Sequence, residues 1–310
     1  MAATLPVLTM MGRALAAGAL LMLAGVSSAC AQPASRTQLV LLGTGTPIPD
    51  PERNGSGVAI VVDSVAYLFD AGTGVVRRAA AAAKAGVVAL QAPRLRYLFI
   101  THLHSDHTMG INDVIFTPWI QGRKQPLMLF GPPGLQRMAD GILDAYAEDI
   151  AERSATSGGP TGTVRPDVHE VAEGEVFKDE RVTVRAFEVP HTGWRHAFGY
   201  RVQTPDKVIV ISGDARANPA IARECAGCDI LVHEVYSDSG FTLLAPVRQK
   251  YHAQAHTSAT QLGEIATAAR PKLLVLYHQL FFGASDEQLL REVRSRFGGR
   301  VVSGKDLERY

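Results

Sequence analysis

Thr101-His102-Leu103-His104-Ser105-Asp106-His107-Thr108-Met109-Gly110 follows directly on the apolar run Tyr97-Leu98-Phe99-Ile100. The apolar run reads as a buried strand. Beyond its tip, His102, His104, Asp106 and His107 crowd into one short turn, where imidazoles and a carboxylate can converge on cations. Zn²⁺ accepts that mixture of nitrogen and oxygen donors. A polar loop with scattered histidines would account for one or two of these residues, but not for their spacing at the end of a core strand.

Toward the N-terminus, Gln38 to Leu42 reads as a strand entering the turn Gly43-Thr44-Gly45-Thr46-Pro47, and Gly57 to Val62 and Ala66 to Phe69 read as paired strands. Asp70 then stands at a strand end. It can cap an alanine-rich helix from about Val75 to Ala85, or it can support a metal ligand from behind. Toward the C-terminus, the pattern predicts a short helix over Met109 to Ile120, a strand over Leu127 to Phe130 and an amphipathic helix over Pro133 to Arg153. Strands resume at Val168. Val182 to Phe187 leads to His191; a hairpin of Ala197 to Val202 with Val208 to Ile211 leads to Asp214; Ile230 to Val232 leads to His233 and Glu234; and Leu273 to Tyr277 leads to His278. Helices are expected over Ser258 to Ala268 and Asp286 to Phe297, with a short strand near Val301. Core strands alternating with helices, in two halves whose strands end in candidate ligands, argue for an αββα sandwich in one domain from Gln32 to Tyr310.

The His102, His104, Asp106, His107 pattern resembles the signature of the metallo-β-lactamase superfamily. The resemblance implies the same αββα fold, α/β in class, with two mixed sheets flanked by helices. It also implies that His102, His104 and His191 hold one zinc, that Asp106, His107 and His278 hold a second, and that Asp214 bridges them. Two cations about 3.5 to 4 Å apart share a hydroxide whose parent water has its pKa lowered towards about 7. Mn²⁺ or Fe would accept similar ligands. His256-Thr257-Ser258, ahead of a helix, resembles ribonuclease Z and its relatives, which implies that His256 joins Asp106 in catalysis by stabilising charge or protonating the leaving oxygen. The alternative for His256 is a helix cap. His233-Glu234 matches the first two residues of the His-Glu-Ala-Thr box of those relatives, whereas Val235-Tyr236 departs from it. Glu234 therefore either orients His256 or caps neighbouring backbone. Trp194 and Arg195 could wall an anion pocket, and His169, His196 and His252 are expected to be exposed or structural.

The 310 residues, 46% hydrophobic and 20% charged, suffice for a large core and argue against disorder. A net charge of +1 offers no broad basic field, so no nucleic-acid partner is expected. Residues 1–31 read as an export signal: Arg13, the apolar run Ala14 to Val26, and a cleavage site at Ala29-Cys30-Ala31. Lipidation at Cys30 is less expected because Ser27 stands where a larger aliphatic residue is usual. No other run of about 18 apolar residues exists, so no stable transmembrane segment is expected. A periplasmic or secreted location follows, in which Cys225 and Cys228 form a small disulfide or two buried thiols, with a zinc or redox role less expected.

Asp214 speaks against a true β-lactamase, where the resemblance places another residue. The short run from His191 to Asp214 leaves no room for the tRNA-clamping arm of ribonuclease Z. The expected activity is an exported dinuclear zinc hydrolase of a small anionic ester, with aryl sulfate slightly ahead of phosphodiester. A lactonase comes third, and a non-catalytic metal-binding or sensing protein is the alternative from another class. The substrate pocket is expected on loops such as Gly122 to Gln125, Ser157 to Gly162 and Ser237 to Pro246. A homodimer stays open beside a monomer.

Overall fold

Leu39, Leu41, Val58, Ile60 and Val62 pack into one apolar layer, while the residues between them, Val40, Leu42, Ala59 and Val61, pack into another. Successive strand side chains point to opposite faces, so a strand covered on both sides reads as a continuous apolar run. The structure, a computed structural model, describes Met1, Ala2 and residues 35–310; the expected export signal, with Cys30, lies outside the described residues. Ser35–Tyr310 forms one compact unit.

The first sheet contains β1 (Thr37–Gly43), β2 (Gly57–Val62), β3 (Val65–Phe69), β4 (Tyr97–Phe99), β5 (Met128–Gly131) and β6 (Asp167–Glu170), in that spatial order. From β3 to β6 neighbouring strands run parallel. The second sheet contains β7 (Gly174–Lys178), β8 (Thr183–Glu188), β9 (Phe198–Gln203), β10 (Val208–Ile211), β11 (Ile230–Tyr236), β12 (Leu273–Leu280) and β13 (Val301–Ser303), ordered β13-β12-β11-β10-β9-β8-β7. Strands β10 to β13 are parallel. The first half contributes helices α1 (Val75–Lys84), α2 (Ser105–Thr108), α3 (Ile111–Ile120), α4 (Leu135–Ala145) and α5 (Ala147–Ala155). The second half contributes α6 (Pro219–Cys225), α7 (Asp238–Phe241), α8 (Pro246–Ala255), α9 (Ala259–Ala269) and α10 (Asp286–Arg294). Three apolar layers result: helices on the first sheet, sheet on sheet, and helices on the second sheet. The expected αββα sandwich is therefore present.

Two boundaries differ from the sequence reading. The helix expected over Pro133 to Arg153 starts only at Leu135, because Gly134 takes φ +102°, and it breaks at Tyr146, whose φ of −109° and ψ of 20° end α4 and begin α5. The helix expected over Met109 to Ile120 starts at Ile111, and Asp106 and His107 sit on their own short helix, α2.

The sheets are also joined by polar contacts. Tyr200 Oη donates to Ile100 O at 2.8 Å and Phe198 N donates to Thr101 O at 2.9 Å, which fixes the tip of β4 against β9. At the other end of the seam, Asp206 accepts from Thr37 Oγ1 (2.5 Å), Ser35 Oγ (2.7 Å) and Arg36 N (3.0 Å). Burial works against the Asp206 charge, but these donors and Lys207 outweigh it and hold the carboxyl below its ordinary range. A depressed carboxyl stabilises the fold above its unfolded pKa of about 3.9, and that contribution is lost as the pH falls through the folded value. Asp206→Asn is accordingly expected to lower the unfolding midpoint at pH 7, and the gap from the parent is expected to close in melts run progressively below about pH 4.

Cys225 and Cys228 are joined as a disulfide across the turn that ends α6. Among the described residues, no helix is long and apolar enough to cross a membrane.

Candidate active site

Every candidate ligand leaves its strand at or near the carboxyl end, where open α/β sheets present their sites. Below them, two glycine-bearing loops are locked together: Ala71 N donates to His107 O at 2.8 Å and Gly110 N donates to Ala71 O at 2.7 Å. A Cβ on Gly72 would collide with the backbone oxygen of Asp106, so only glycine allows this approach.

Three imidazole nitrogens converge in the first group. His104 Nδ1 lies 2.9 Å from His102 Nε2 and 3.1 Å from His191 Nε2, and Asp214 Oδ2 stands 4.0 Å from His102 Nε2. His191 Nδ1 donates to Ala255 O at 2.8 Å, which leaves the Nε2 lone pair free. Burial holds His102 and His191 below the ordinary histidine value and lowers His104 to about 4, so all three rings are neutral, as ligands must be.

The second group faces the other oxygen of the same aspartate. Asp214 Oδ1 lies 3.4 Å from His107 Nε2 and 3.5 Å from His278 Nδ1, and Asp106 Oδ2 lies 3.1 Å from His278 Nε2. Burial opposes the charge on Asp214, but His278 and His107 hold it ionised. His107 Nε2, Asp214 Oδ1 and His278 Nδ1 are buried without a hydrogen-bond partner. Buried polar atoms are otherwise nearly always satisfied, so a cation at each group is what this donor set fits. His278 reaches its place through a β-bulge: Tyr277 pairs with Glu234 and Gln279 with Val235, leaving His278 between them at φ +44°. Such bulges re-aim a side chain at the cost of local strain.

Asp70 lies beneath both groups. Its Oδ2 accepts from His107 Nδ1 at 2.8 Å and from Thr101 Oγ1 at 2.9 Å, and the Thr101 oxygen lies 3.0 Å from His102 Nδ1. With the hydroxyl proton committed to Asp70, His102 Nδ1 must be the donor to Thr101, so one carboxylate sets the tautomer of a histidine in each group. Helix α1 is capped by Gly74 with no side-chain bond, so capping is not the role of Asp70. Asp70→Asn is expected to weaken metal affinity by roughly 10 to 100-fold, measured by competition with a chelating dye.

His256 does not cap α9, whose N-cap is Ser258; it stands at the C-terminal end of α8, its backbone N donating to His252 O. Its Nδ1 lies 3.4 Å from Glu234 Oε2 and 3.9 Å from Asp214 Oδ2, and it also falls with Asp214 and His278 in a third group of donors. Burial opposes its protonation, but the Glu234 carboxylate raises its pKa. Glu234 Oε1 accepts from Thr257 N at 2.8 Å, the backbone-capping role, while Oε2 faces His256 Nδ1 at 3.4 Å without a hydrogen bond. Trp194 stands at the mouth, its ring 5.1 Å from His104, whereas Arg195 is exposed. His252 is buried against Phe282, 4.7 Å between ring centroids, and is structural; His196 is half-buried; His169 stacks on Phe130.

The expected pocket loops need correction. Gly122 to Gln125 lie at the opposite end of the first sheet, and Ser157 to Gly162 border a separate depression beside α5. The cleft that opens on Asp106 is instead built by the β1–β2 loop, with a cavity volume of about 650 Å³ lined by Pro47, Ile48, Pro49, Pro51 and Met109. Among the described residues its one cation is Arg53, which is engaged with Gln279 Oε1 at 2.8 Å and Asp286 at 3.6 Å. The proline density of 47–51 was the available signal for this wall.

A family model described as a Beta-lactamase superfamily domain matches residues 66–279. The chain belongs to the metallo-β-lactamase superfamily. Among relatives in this superfamily, a protein named Ribonuclease Z from Mycobacterium bovis is 32% identical over 277 residues, covering 88% of this chain and 97% of its own length. One of the same name from Mycobacterium sp. (strain KMS) is 34% identical, covering 88% and 95%. Human tRNase Z, short form, superposes with a TM-score of 0.64 at 26% identity over 88% of this chain and 98% of its own. The metallo-β-lactamase fold protein YhfI of Bacillus subtilis, at 18% identity and a TM-score of 0.67 over 89% of this chain and all of its own, shares the fold. The protein is a metal-dependent hydrolase of this superfamily.

Proposed function

We propose that the protein hydrolyses a small phosphodiester bearing a flat or apolar group, using two zinc ions held by His102, His104 and His191 on one side, Asp106, His107 and His278 on the other, and Asp214 between. The observation that carries this reading is the pair of donor groups on opposite oxygens of Asp214, with His256 beside it. When bound, the ions supply a water of lowered pKa and positive charge opposite the developing oxyanion. The chain's own residues do the rest. Asp70 and Thr101 orient ligand rings, Trp194 walls the mouth, and Glu234 keeps a proton on His256. As the bond from phosphorus to the leaving oxygen breaks, His256 gives that oxygen its proton.

Relatives named Ribonuclease Z support phosphodiester over aryl sulfate and weigh against excluding RNA. The apolar cleft beside Asp106 supports a small substrate, and an aryl sulfate would present the same flat group to it. Export remains part of the proposal and is supported by the Cys225–Cys228 disulfide, which suits an oxidising compartment.

The test is turnover of bis-nitrophenyl phosphate, nitrophenyl sulfate, a homoserine lactone and a precursor tRNA by zinc-loaded protein, before and after chelation. Chelator-sensitive turnover fastest on the phosphate diester is expected. A faster sulfate reaction would transfer the activity to aryl sulfates, and cleavage of precursor tRNA alone would overturn the small-substrate reading. No turnover on any substrate would leave a metal-binding protein without catalysis.

A further inference from the structure

Among the described residues, three arginine nitrogens are buried without an acceptor: Nε of Arg96, Arg123 and Arg181. All three residues line one cleft, with a cavity volume of about 410 Å³. These nitrogens have no surface of their own, so a molecule seated in the cleft does not reach them; what the three residues bring to the cleft is guanidinium charge that no buried acceptor offsets. The cleft lies at the N-terminal ends of β3, β4 and β5, where Val65 and Tyr97 begin their strands. From Tyr97 to His102 an extended chain covers about 17 Å, so this is the far end of the first sheet from the metal ligands.

The electrostatics define the ligand. Arg94, Arg96, Arg123, Lys124 and Arg181 face the cleft with only Asp179 and Glu180 against them, a surplus of three positive charges. Neither carboxylate is free: Asp179 accepts from Tyr67 Oη at 2.6 Å and from Arg181 N and Val182 N at 2.8 Å, and Glu180 pairs with Arg181. Arg123 is 2% exposed, and its terminal nitrogens donate only to backbone carbonyls, at 2.8 Å to Val114 O and 3.0 Å to Ile115 O. Burial pushes this guanidinium down to about 10, as expected for a desolvated charge with no counter-ion. Arg96 lies over the ring of Tyr97, 5.3 Å from its centroid, which leaves the edge of its fork free for an oxygen acceptor.

We propose that this cleft binds a phosphoryl anion of the diphosphate class, carried on a small molecule, at a site separate from the metal centre. Guanidinium forks match phosphate oxygens in pairs, and a diphosphate offers the several oxygens and charges that the cluster lacks. Lys124, exposed at the rim, supplies a point charge to the second phosphoryl group.

The test titrates inorganic pyrophosphate calorimetrically into the zinc-loaded full chain, alongside Arg96→Ala and Lys124→Glu. Binding is expected in the parent and weakened about tenfold or more in each variant, a charged hydrogen bond being worth that much. Turnover of bis-nitrophenyl phosphate is expected to stay at the parental rate in both. Lys124→Glu keeps the test decisive if Arg96→Ala fails to fold, since Lys124 is exposed. Equal binding in parent and Lys124→Glu would assign the pyrophosphate to the metal centre and overturn the proposal. So would no binding up to about 1 mM. Tighter, variant-sensitive binding of a single-stranded RNA oligomer would reassign the cleft to nucleic acid and overturn it as well.

Discussion

Asp214→Ala is expected to lower phosphodiester turnover by about 10³-fold or more and to leave the purified protein short of its parental zinc content. The side chain is 2% exposed, and each of its oxygens faces a different donor group, Oδ2 toward His102 and Oδ1 toward His107 and His278. Its removal therefore takes a donor from both groups at once and leaves two cations without the charge between them. Metal stabilisation of a transition state is worth several kcal/mol, and each 1.4 kcal/mol is a tenfold change in rate. Elemental analysis beside single-turnover kinetics checks both parts. Parental zinc content with parental turnover in the variant would remove Asp214 from the centre.

His256→Ala is expected to lower kcat by roughly 10² to 10⁴-fold while KM changes little, because the group acts on the leaving oxygen and not on substrate capture. The loss is expected to depend on the leaving group. Nitrophenolate departs without a proton and should suffer least, whereas an alkoxide leaving group should suffer most. Glu234→Gln is expected to fall between parent and His256→Ala, since Oε2 is 3.4 Å from the imidazole while Oε1 keeps its bond to Thr257 N at 2.8 Å. An equal loss with good and poor leaving groups would show that His256 positions rather than protonates. Because His256 also joins Asp214 and His278 in a donor group, zinc content of the variant distinguishes a lost ligand from a lost acid.

Much of this centre was legible in the chain because each ligand follows an apolar strand run, and the fold brings strand tips to one edge. His102, His104, Asp106, His107, His191, Asp214 and His278 all come together as their positions suggested. Three things were not legible. The bulge at His278 depends on the register of β12 against β11, a non-local pairing that local pattern does not encode. The wall of the cleft belongs to a loop whose path is fixed from 252 and 262 residues away: Asp306 accepts from Asn54 N and Thr44 N, both at 2.9 Å. Loops 122–125 and 157–162 looked equally suitable as pocket walls because composition marks a segment as loop without saying at which end of a sheet it lies. The break at Tyr146 escaped notice for a related reason, since amphipathic periodicity continues across it.

The ligands belong to both sheets: Asp106 and His107 follow β4 in the first, while His191 and Asp214 follow β8 and β10 and His278 sits at the bulge within β12 in the second. Cations seated there would rivet the two layers at one edge beside the Tyr200 and Phe198 hydrogen bonds, while the Asp206 cluster fastens the opposite edge. Stripping the ions would leave the catalytic edge with mutually repelling acids and only the Tyr200 and Phe198 hydrogen bonds to hold it, so the sandwich should loosen there first.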